Sequence, residues 1–282
     1  MKRHKIPLTL HLIIKSPLTL IGASLVILLI LMAIFAPLIA PYNPNKINLR
    51  EKLTPPSLKH PFGTDEVGRD LLSRVIYGSR ISLQVGIVVV LLSGIPGILI
   101  GAFSGYYGGQ FDNIIMRLMD IIMAFPPLVL ALSIAAALGP SLVNSMMAVA
   151  FIMIPKFSRL VRGEALALKE KPFVLATRAQ GGKPIYIIFR HIIPNSVSSV
   201  IVLASLVMGD AILISASLSF IGLGAQPPTP EWGALVSTGR KYILDQWWYA
   251  TFPGLFIFFA VMGFNLFGDG LRDILDPKIR GR

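Results

Sequence analysis

The sequence predicts an all-α integral membrane protein with six transmembrane helices and both termini in the cytoplasm. Three observations carry this. The 282 residues are 54% hydrophobic and only 14% charged, too apolar for a soluble globular domain. The apolar residues gather into runs of about 20, enough to cross a hydrocarbon core about 30 Å thick. Lys and Arg are also unevenly shared between the two sides that successive spans define. Four precede the first span, Arg117 adds one, eight lie from Lys156 to Arg190, and four follow the sixth. The other side has seven in residues 40–82, offset by Glu51, Asp65, Glu66 and Asp70, together with Arg240 and Lys241. Retention of basic residues in the cytoplasm explains both the asymmetry and the net charge of +12, so nucleic acid is not an expected partner. With no cysteine, the chain offers no disulfide, thiolate metal site or cysteine nucleophile.

Lys2, Arg3, Lys5 and Lys15 lead into an apolar run over residues 18–39. That run exceeds the 7–15 residues of a signal-peptide core, so it reads as a retained first helix, closed by Pro37 and Pro41. Residues 40–82 read as an ordered external loop, in which Asp65, Glu66, Arg69, Asp70, Arg74 and Arg80 form salt-bridge networks or a solvated rim. Helix two is expected over 85–103. Its Gly97, Gly101 and Gly105, with Gly94 a turn earlier, would let another helix of this chain or of a partner approach closely. After a turn at 106–113, helix three covers 114–138. Arg117 and Asp120 share a face there at i, i+3, and Pro126-Pro127 should kink it. Helix four, from 142 toward 161, turns basic at Lys156, Arg159 and Arg162. Helix five, 198–220, contains Asp210, a carboxylate inside an apolar run that lines a polar path or bonds a neighbouring helix. Residues 221–247 make a second external loop. Helix six, 248–267, opens on Trp247, Trp248 and Tyr249 as an aromatic belt, and the tail is basic beyond Asp276. The chain divides into residues 1–82, with the tail, first helix and loop, and a five-helix core over 83–282.

Between helices four and five lies KPFVLATRAQGGKPIYIIFRHIIPN, residues 171–195, basic and polar between apolar runs. Pro172 suits a first helical position, residues 173–180 make a turn or two, and Gly181-Gly182 supply a C-cap. Lys183-Pro184 opens a second segment, and Pro194 should interrupt the helical pattern after Ile193. These residues describe either an ordinary interhelical loop or a docking knob of two short helices.

The segment resembles the EAA loop of binding-protein-dependent ABC importer permeases. Ala176, Arg178, Ala179, Gly181, Arg190, His191, Pro194 and Asn195 stand in matching places, while Leu175-Ala176-Thr177 occupies the usual Glu-Ala-Ala. GTDEVGRDLLSR, residues 63–74, is similar to the GTDxxGRDxxSR marker of the dipeptide/oligopeptide/nickel branch and its C-type subunits. SFIGLGAQPPTPEWG and FPGLFIFFAVMGFNLFGDGLRDILDP extend the likeness over nearly the whole chain. The resemblance implies a type I ABC importer permease fold in the cell membrane, forming half of a path for peptides, or for nickel or another small solute. It implies a second homologous permease, two ATP-binding subunits that hold the ATP and Mg, and an external solute-binding protein docking on residues 40–82 and 221–247. Phe173, Ala176, Thr177, Arg178, Ala179, Gly181 and Gly182 would form the ATPase-docking loop within about 162–195. Asp65, Gly68, Arg69, Asp70 and Arg74 would form the external motif, and Asp210 and Asp120 are candidates for the translocation path.

No cofactor is expected in the chain itself. Gly181-Gly182-Lys183 is followed by Pro184, which cannot supply the amides of a phosphate loop, and neither HExxH nor GxSxG occurs. The histidines at 4, 11, 60 and 191 lack metal-ligand spacing. An intramembrane enzyme would need paired groups at one depth, for which Asp120 and Asp210 are the sole candidates. An ion-coupled secondary transporter often shows inverted repeats, and none is visible.

Overall fold

Residues 17–275 are described by a computed structural model, and their regular elements are all helical. The basic residues before Pro17 and the tail beyond Asp276 lie outside the described residues. Helix α1 is Pro17–Ile34. It breaks at Phe35 before a short α2, Ala36–Ile39, where Pro37 sits in the first turn. Proline clashes with the carbonyl four residues back, which is why the expected run to residue 39 is not one helix.

Helix α3, Leu71–Tyr107, is 37 residues long and starts well before the expected residue 85. Asp70 caps it by accepting from the Ser73 backbone N–H at 2.8 Å and the Ser73 hydroxyl at 2.6 Å. The turns over residues 71–83 are polar in sequence yet bury Leu71, Val75, Ile76 and Leu83. The last twelve residues of the expected external loop, 71–82, are therefore helix, and the boundary expected between residues 82 and 83 falls inside it.

The expected turn at 106–113 contracts to Gly108, and helix three is two helices. Helix α4, Gly109–Ala124, and α5, Pro127–Leu138, meet at 91°. A residue before proline is driven out of the α region, and here two stand in succession. Phe125 (ψ 143°) and Pro126 (ψ 127°) are both extended, so the kink becomes a break.

Helix α6 is Leu142–Leu168, capped by Ser141. Helices α7, Pro172–Ala179, and α8, Pro184–Ile187, follow, and α8 runs through a π turn, Ile188–Ile192, into α9, Ile193–Ile221. Pro194 thus does not interrupt the pattern. The wider π turn, in which the Ile193 N–H reaches Ile188 O, accommodates the ring that a regular α turn would exclude. The second loop contains α10, Trp232–Gly239, and the last helix, α11, is Trp248–Leu275. The aromatic belt reduces to Trp247. Successive helical residues are 100° apart, and Trp248 and Tyr249 turn inward, where the Tyr249 hydroxyl donates to Glu66.

Among the described residues, four helical stretches are long and apolar enough to cross a membrane: α1, α3, α8–α9 and α11. The α4–α5 pair makes a fifth if counted as one broken span. Helices α3 and α6 lie closest. A Cβ on Gly101 would stand 2.3 Å from Ser158 O, and one on Gly105 2.7 Å from Arg162 O. The glycine face of α3 is therefore filled from within the chain. Helices α1 and α11 run antiparallel, with Thr19 against Gly270 and Leu25 against Gly263, so the start of α1 and the end of α11 sit together. One core layer joins α3, α5, α6 and α9 around Val89, Met153 and Phe157; a second joins α1, α3, α10 and α11 around Trp232 and Tyr249.

Candidate functional site: a projecting helix and a ladder of ion pairs

Lys171 is extended (φ −73°, ψ 144°) and Pro172 begins α7, as its missing N–H and fixed φ favour. Val174 alone of α7 is buried, 1% exposed, among Ala102 of α3, Val161 and Ala165 of α6, and Ile187, Ile188 and Ile192. The rest projects. Phe173 is 44% exposed, and Leu175, Ala176, Arg178 and Ala179 also face outward.

The end of α7 is a Schellman turn. The Gly182 N–H donates to Thr177 O and the Gly181 N–H to Arg178 O, both at 3.0 Å. Gly181 takes φ +82°, and a Cβ on Gly182 would stand 2.8 Å from Thr177 Cγ2. Thr177 Oγ1 donates to Phe173 O at 2.9 Å and lies 3.3 Å from His191 Nε2. The His191 ring packs between Phe173 and Tyr186, centroids 5.7 and 5.8 Å away. His191 therefore braces α7 against α8. Lys171, Arg178, Lys183 and Arg190 are exposed around this apolar tip.

Three cations three residues apart on α6 each meet a carboxylate from another helix. Lys156 Nζ lies 2.6 Å from Asp210 Oδ2 on α9, and Arg159 pairs with Asp120 on α4. Arg162 clasps Asp112 of α4 through two contacts of 2.6 Å, and the Ser104 hydroxyl donates to the same carboxylate. Asp120 is thus paired, but across helices rather than with Arg117. Arg117 instead lines a cavity of about 450 Å³ with Gln110, Asn113 and Asp120. Asp210 bonds a neighbouring helix while its side chain stays 41% exposed, so the two readings of this residue are compatible.

The external motif is a buried clasp rather than a solvated rim. Asp65 accepts from the N–H groups of Val67 (3.0 Å) and Arg69 (2.9 Å) and from Arg69 Nε (2.6 Å). Arg74 Nε lies 3.5 Å from the same carboxylate and its Nη1 donates to Pro44 O at 3.1 Å. Asp70 also meets His60 Nδ1 at 2.8 Å. Gly68 takes φ +76° beside Asn48. At the edge of this loop, the hydrogen-bonded Lys59 ammonium holds the Glu51 carboxyl below its usual value. In the second loop Glu231 caps α10, accepting from the Gly233 and Ala234 N–H groups at 3.0 and 2.9 Å. Burial pushes its carboxyl up, against the downward pull of those amides.

Asp112, His60 and Glu231 carry roles that the sequence reading did not assign. Asp112 sits in the first turn of α4, within residues 106–113 that the sequence reads as a turn. Its partner is 50 residues away.

Residues 97–281 match the family model described as binding-protein-dependent transport system inner membrane component. Residues 9–56 match the N-terminal TM domain of oligopeptide transport permease C. The chain is 53% identical to the probable D,D-dipeptide transport system permease protein DdpC of Escherichia coli (strain K12), covering 95% of this chain and 90% of that protein. It is 47% identical to the dipeptide transport system permease protein DppC of Alkalihalophilus pseudofirmus, over 94% and 88% of the two chains. It is also 47% identical to the glutathione transport system permease protein GsiD of Escherichia coli O6:K15:H31, over 95% and 88%. Among solved structures, the MetNI methionine ABC transporter in inward-facing conformations superposes with a TM-score of 0.58 at 16% identity, over 73% of this chain and 98% of that one. That likeness concerns the fold alone.

Proposed function

This chain belongs to the family of binding-protein-dependent transport system inner membrane components, and from that premise we propose how it imports its solute and what the solute is. It is a multi-pass inner-membrane permease subunit of an ATP-driven importer. Its relatives are named as transport permeases, not enzymes, and the peptide names they carry support peptides as the cargo. We read six spans: α1, α3, the broken α4–α5, α6, α8–α9 and α11. Helix α6 joins them because it packs along the whole glycine face of α3 despite its basic second half. The even number and the basic residues from Lys169 to Arg190 support cytoplasmic termini and a cytoplasmic α7.

The observation that carries the mechanism is the mounting of α7. One buried side chain, Val174, ties it to α3 and α6, while Phe173 and Leu175 stand half-exposed and uncovered. A rigid projecting helix with an apolar tip and a basic rim suits a socket on a separate ATPase. ATP-driven closure of two such ATPases would carry α7, and the Val174 contact would pass the motion to the bundle. The balance of inward- and outward-facing states then shifts. Asp210 and Asp120 are the intramembrane carboxylates that would line the path, and the two loops at the opposite end would receive an external binding protein.

The test is reconstitution with a homologous permease, the ATPases and the binding protein in proteoliposomes. ATP-dependent uptake of a labelled dipeptide is expected. ATP-dependent uptake of another solute but not peptide would reassign the cargo, and an ATPase that fails to bind the complex would refute the docking role of α7.

A further inference from the structure

Of the three ion pairs along α6, two differ from the third in a way that assigns them a task. The Arg162–Asp112 pair is built to stay closed. It is bidentate, Asp112 is buried, and Ser104 adds a third bond. Lys156–Asp210 and Arg159–Asp120 each make a single contact, and their side chains are 35% and 41%, and 46% and 58%, exposed.

Depth makes that exposure informative. Asp210 lies about 16 Å from the far end of α9 and about 25 Å from its start, at 1.5 Å per residue. Lys156 lies about 21 Å into α6. Charges so placed face water or a polar partner, because hydrocarbon does not solvate them. Beside Asp120 the polar cavity of about 450 Å³ with Gln110, Asn113 and Arg117 continues the same hydrophilic surface.

We propose that Lys156 with Asp210 and Arg159 with Asp120 form a water-lined strip on which the charged ends of a zwitterionic peptide displace the resident ion pairs. This rests on the reading of the chain as a peptide permease. Each pair offers one cation and one carboxylate. A solute bearing an ammonium and a carboxylate replaces those bonds one for one, leaving no uncompensated charge within the membrane. A half-solvated single-contact pair is cheap to open, whereas a bidentate one is not when, as here, its carboxylate is buried (7% exposed) although its arginine is 34% exposed. Lys156 and Arg159 are then specificity determinants, and Arg162 is a staple.

The cysteine-free chain permits a direct test. In the assembled complex in proteoliposomes, Asn113→Cys and Met116→Cys, which line the cavity beside Asp120 and leave both ion pairs intact, should each react with a charged thiol reagent, and saturating dipeptide should slow the reaction at least fivefold. No reaction, or reaction that peptide leaves unchanged, overturns the proposal. The second arm removes both charges of a pair, as Lys156→Met with Asp210→Asn and separately Arg159→Gln with Asp120→Asn. A merely structural pair tolerates such neutral replacement. Here the complex should assemble in wild-type amounts yet lose at least tenfold in dipeptide uptake. Wild-type uptake by either assembled double variant overturns the strip as a contact surface. A wild-type complex that transports a solute other than peptide refutes the cargo reading instead, and thiol labelling still reports whether the strip is wet.

Discussion

Phe173 and Val174 are neighbours with opposite duties, and substitution should separate them. Phe173→Ala removes a half-exposed ring, so the chain alone should lose little stability. Its cost should appear on ATPase binding, about 2 kcal/mol or roughly thirtyfold in affinity for an aromatic anchor. Val174→Ala removes two buried methyl groups and should cost about 1.5–2.5 kcal/mol in the folding of the chain itself. Pull-down of the ATPase beside thermal melting of the assembled permease pair distinguishes the two. Gly181→Val should act on conformation alone, because no atom lies within 4 Å of the added Cβ and the strain comes from φ +82°. About 1–3 kcal/mol is expected. Gly181→Asn, which tolerates that region, should retain most ATPase association while Gly181→Val uncouples hydrolysis from uptake. Glu231 supplies a pH signature. Burial raises its carboxyl above the usual value of 4.5, so its stabilising contribution is complete below that value and is lost as pH rises through the folded-state value. Glu231→Gln keeps an acceptor for α10 and should flatten that part of the melting profile. A profile with the same slope in wild type and variant would remove Glu231 as its cause.

At the level of elements, the contact between α3 and α6 is demanding, because Gly97, Gly101 and Gly105 admit neighbouring backbone where a side chain would collide. Gly101→Leu should force the two helices apart at a cost of about 1–3 kcal/mol or more, lowering the yield of monodisperse complex in detergent. Gly163→Leu, on α6 with open space around its Cβ, is the control that should be silent. The same contact shows what could be read from the chain alone. A fourfold glycine spacing announces a close helix neighbour but not which one, since spacing carries no address; α6 supplied it. The apolar cores of α1, α3, α9 and α11 are legible because hydrocarbon demands long uninterrupted runs. Their ends are less so. Asp70 and Ser73 form a cap visible in the sequence, yet the turns after it bury polar residues against the protein and do not read as a membrane helix. Pro126-Pro127 and Pro194 look equally disruptive in sequence. One is a 91° break and the other is absorbed by a π turn, because only the second has a widened turn beneath the ring. Of the site, the two short helices and their glycine elbow followed from local backbone chemistry, whereas their reading as a docking knob came from the family resemblance. The ion pairs followed from neither, as Asp210 and Lys156 are 54 residues apart and only packing brings them together.

For the molecule as a whole, the question is whether the bundle is complete by itself. Its glycine faces do not make it incomplete, as α3 is covered by α6 and Gly209 of α9 by α11. Nor do its exposed apolar side chains, which lipid would satisfy. The half-exposed pairs of α4, α6 and α9 are different, because hydrocarbon cannot solvate them. Nearby, two apolar hollows of about 550 and 360 Å³ share Leu213 and Ile257 and form one trough between α9 and α11. A second permease seated over that trough would close a wet strip between two bundles, with lipid excluded from the charges. We therefore expect co-purification with one homologous permease and two ATPase domains. Leu213→Cys should form a disulfide with a single cysteine on the facing helix of that partner and with none on a second copy of this chain. Expressed alone, the chain should give little monodisperse protein, since no surface then shields Lys156 and Asp210 from lipid. A stable, transport-competent assembly built from this permease without the homologue would sink the heteromeric reading, and native mass measurement beside uptake in proteoliposomes decides it.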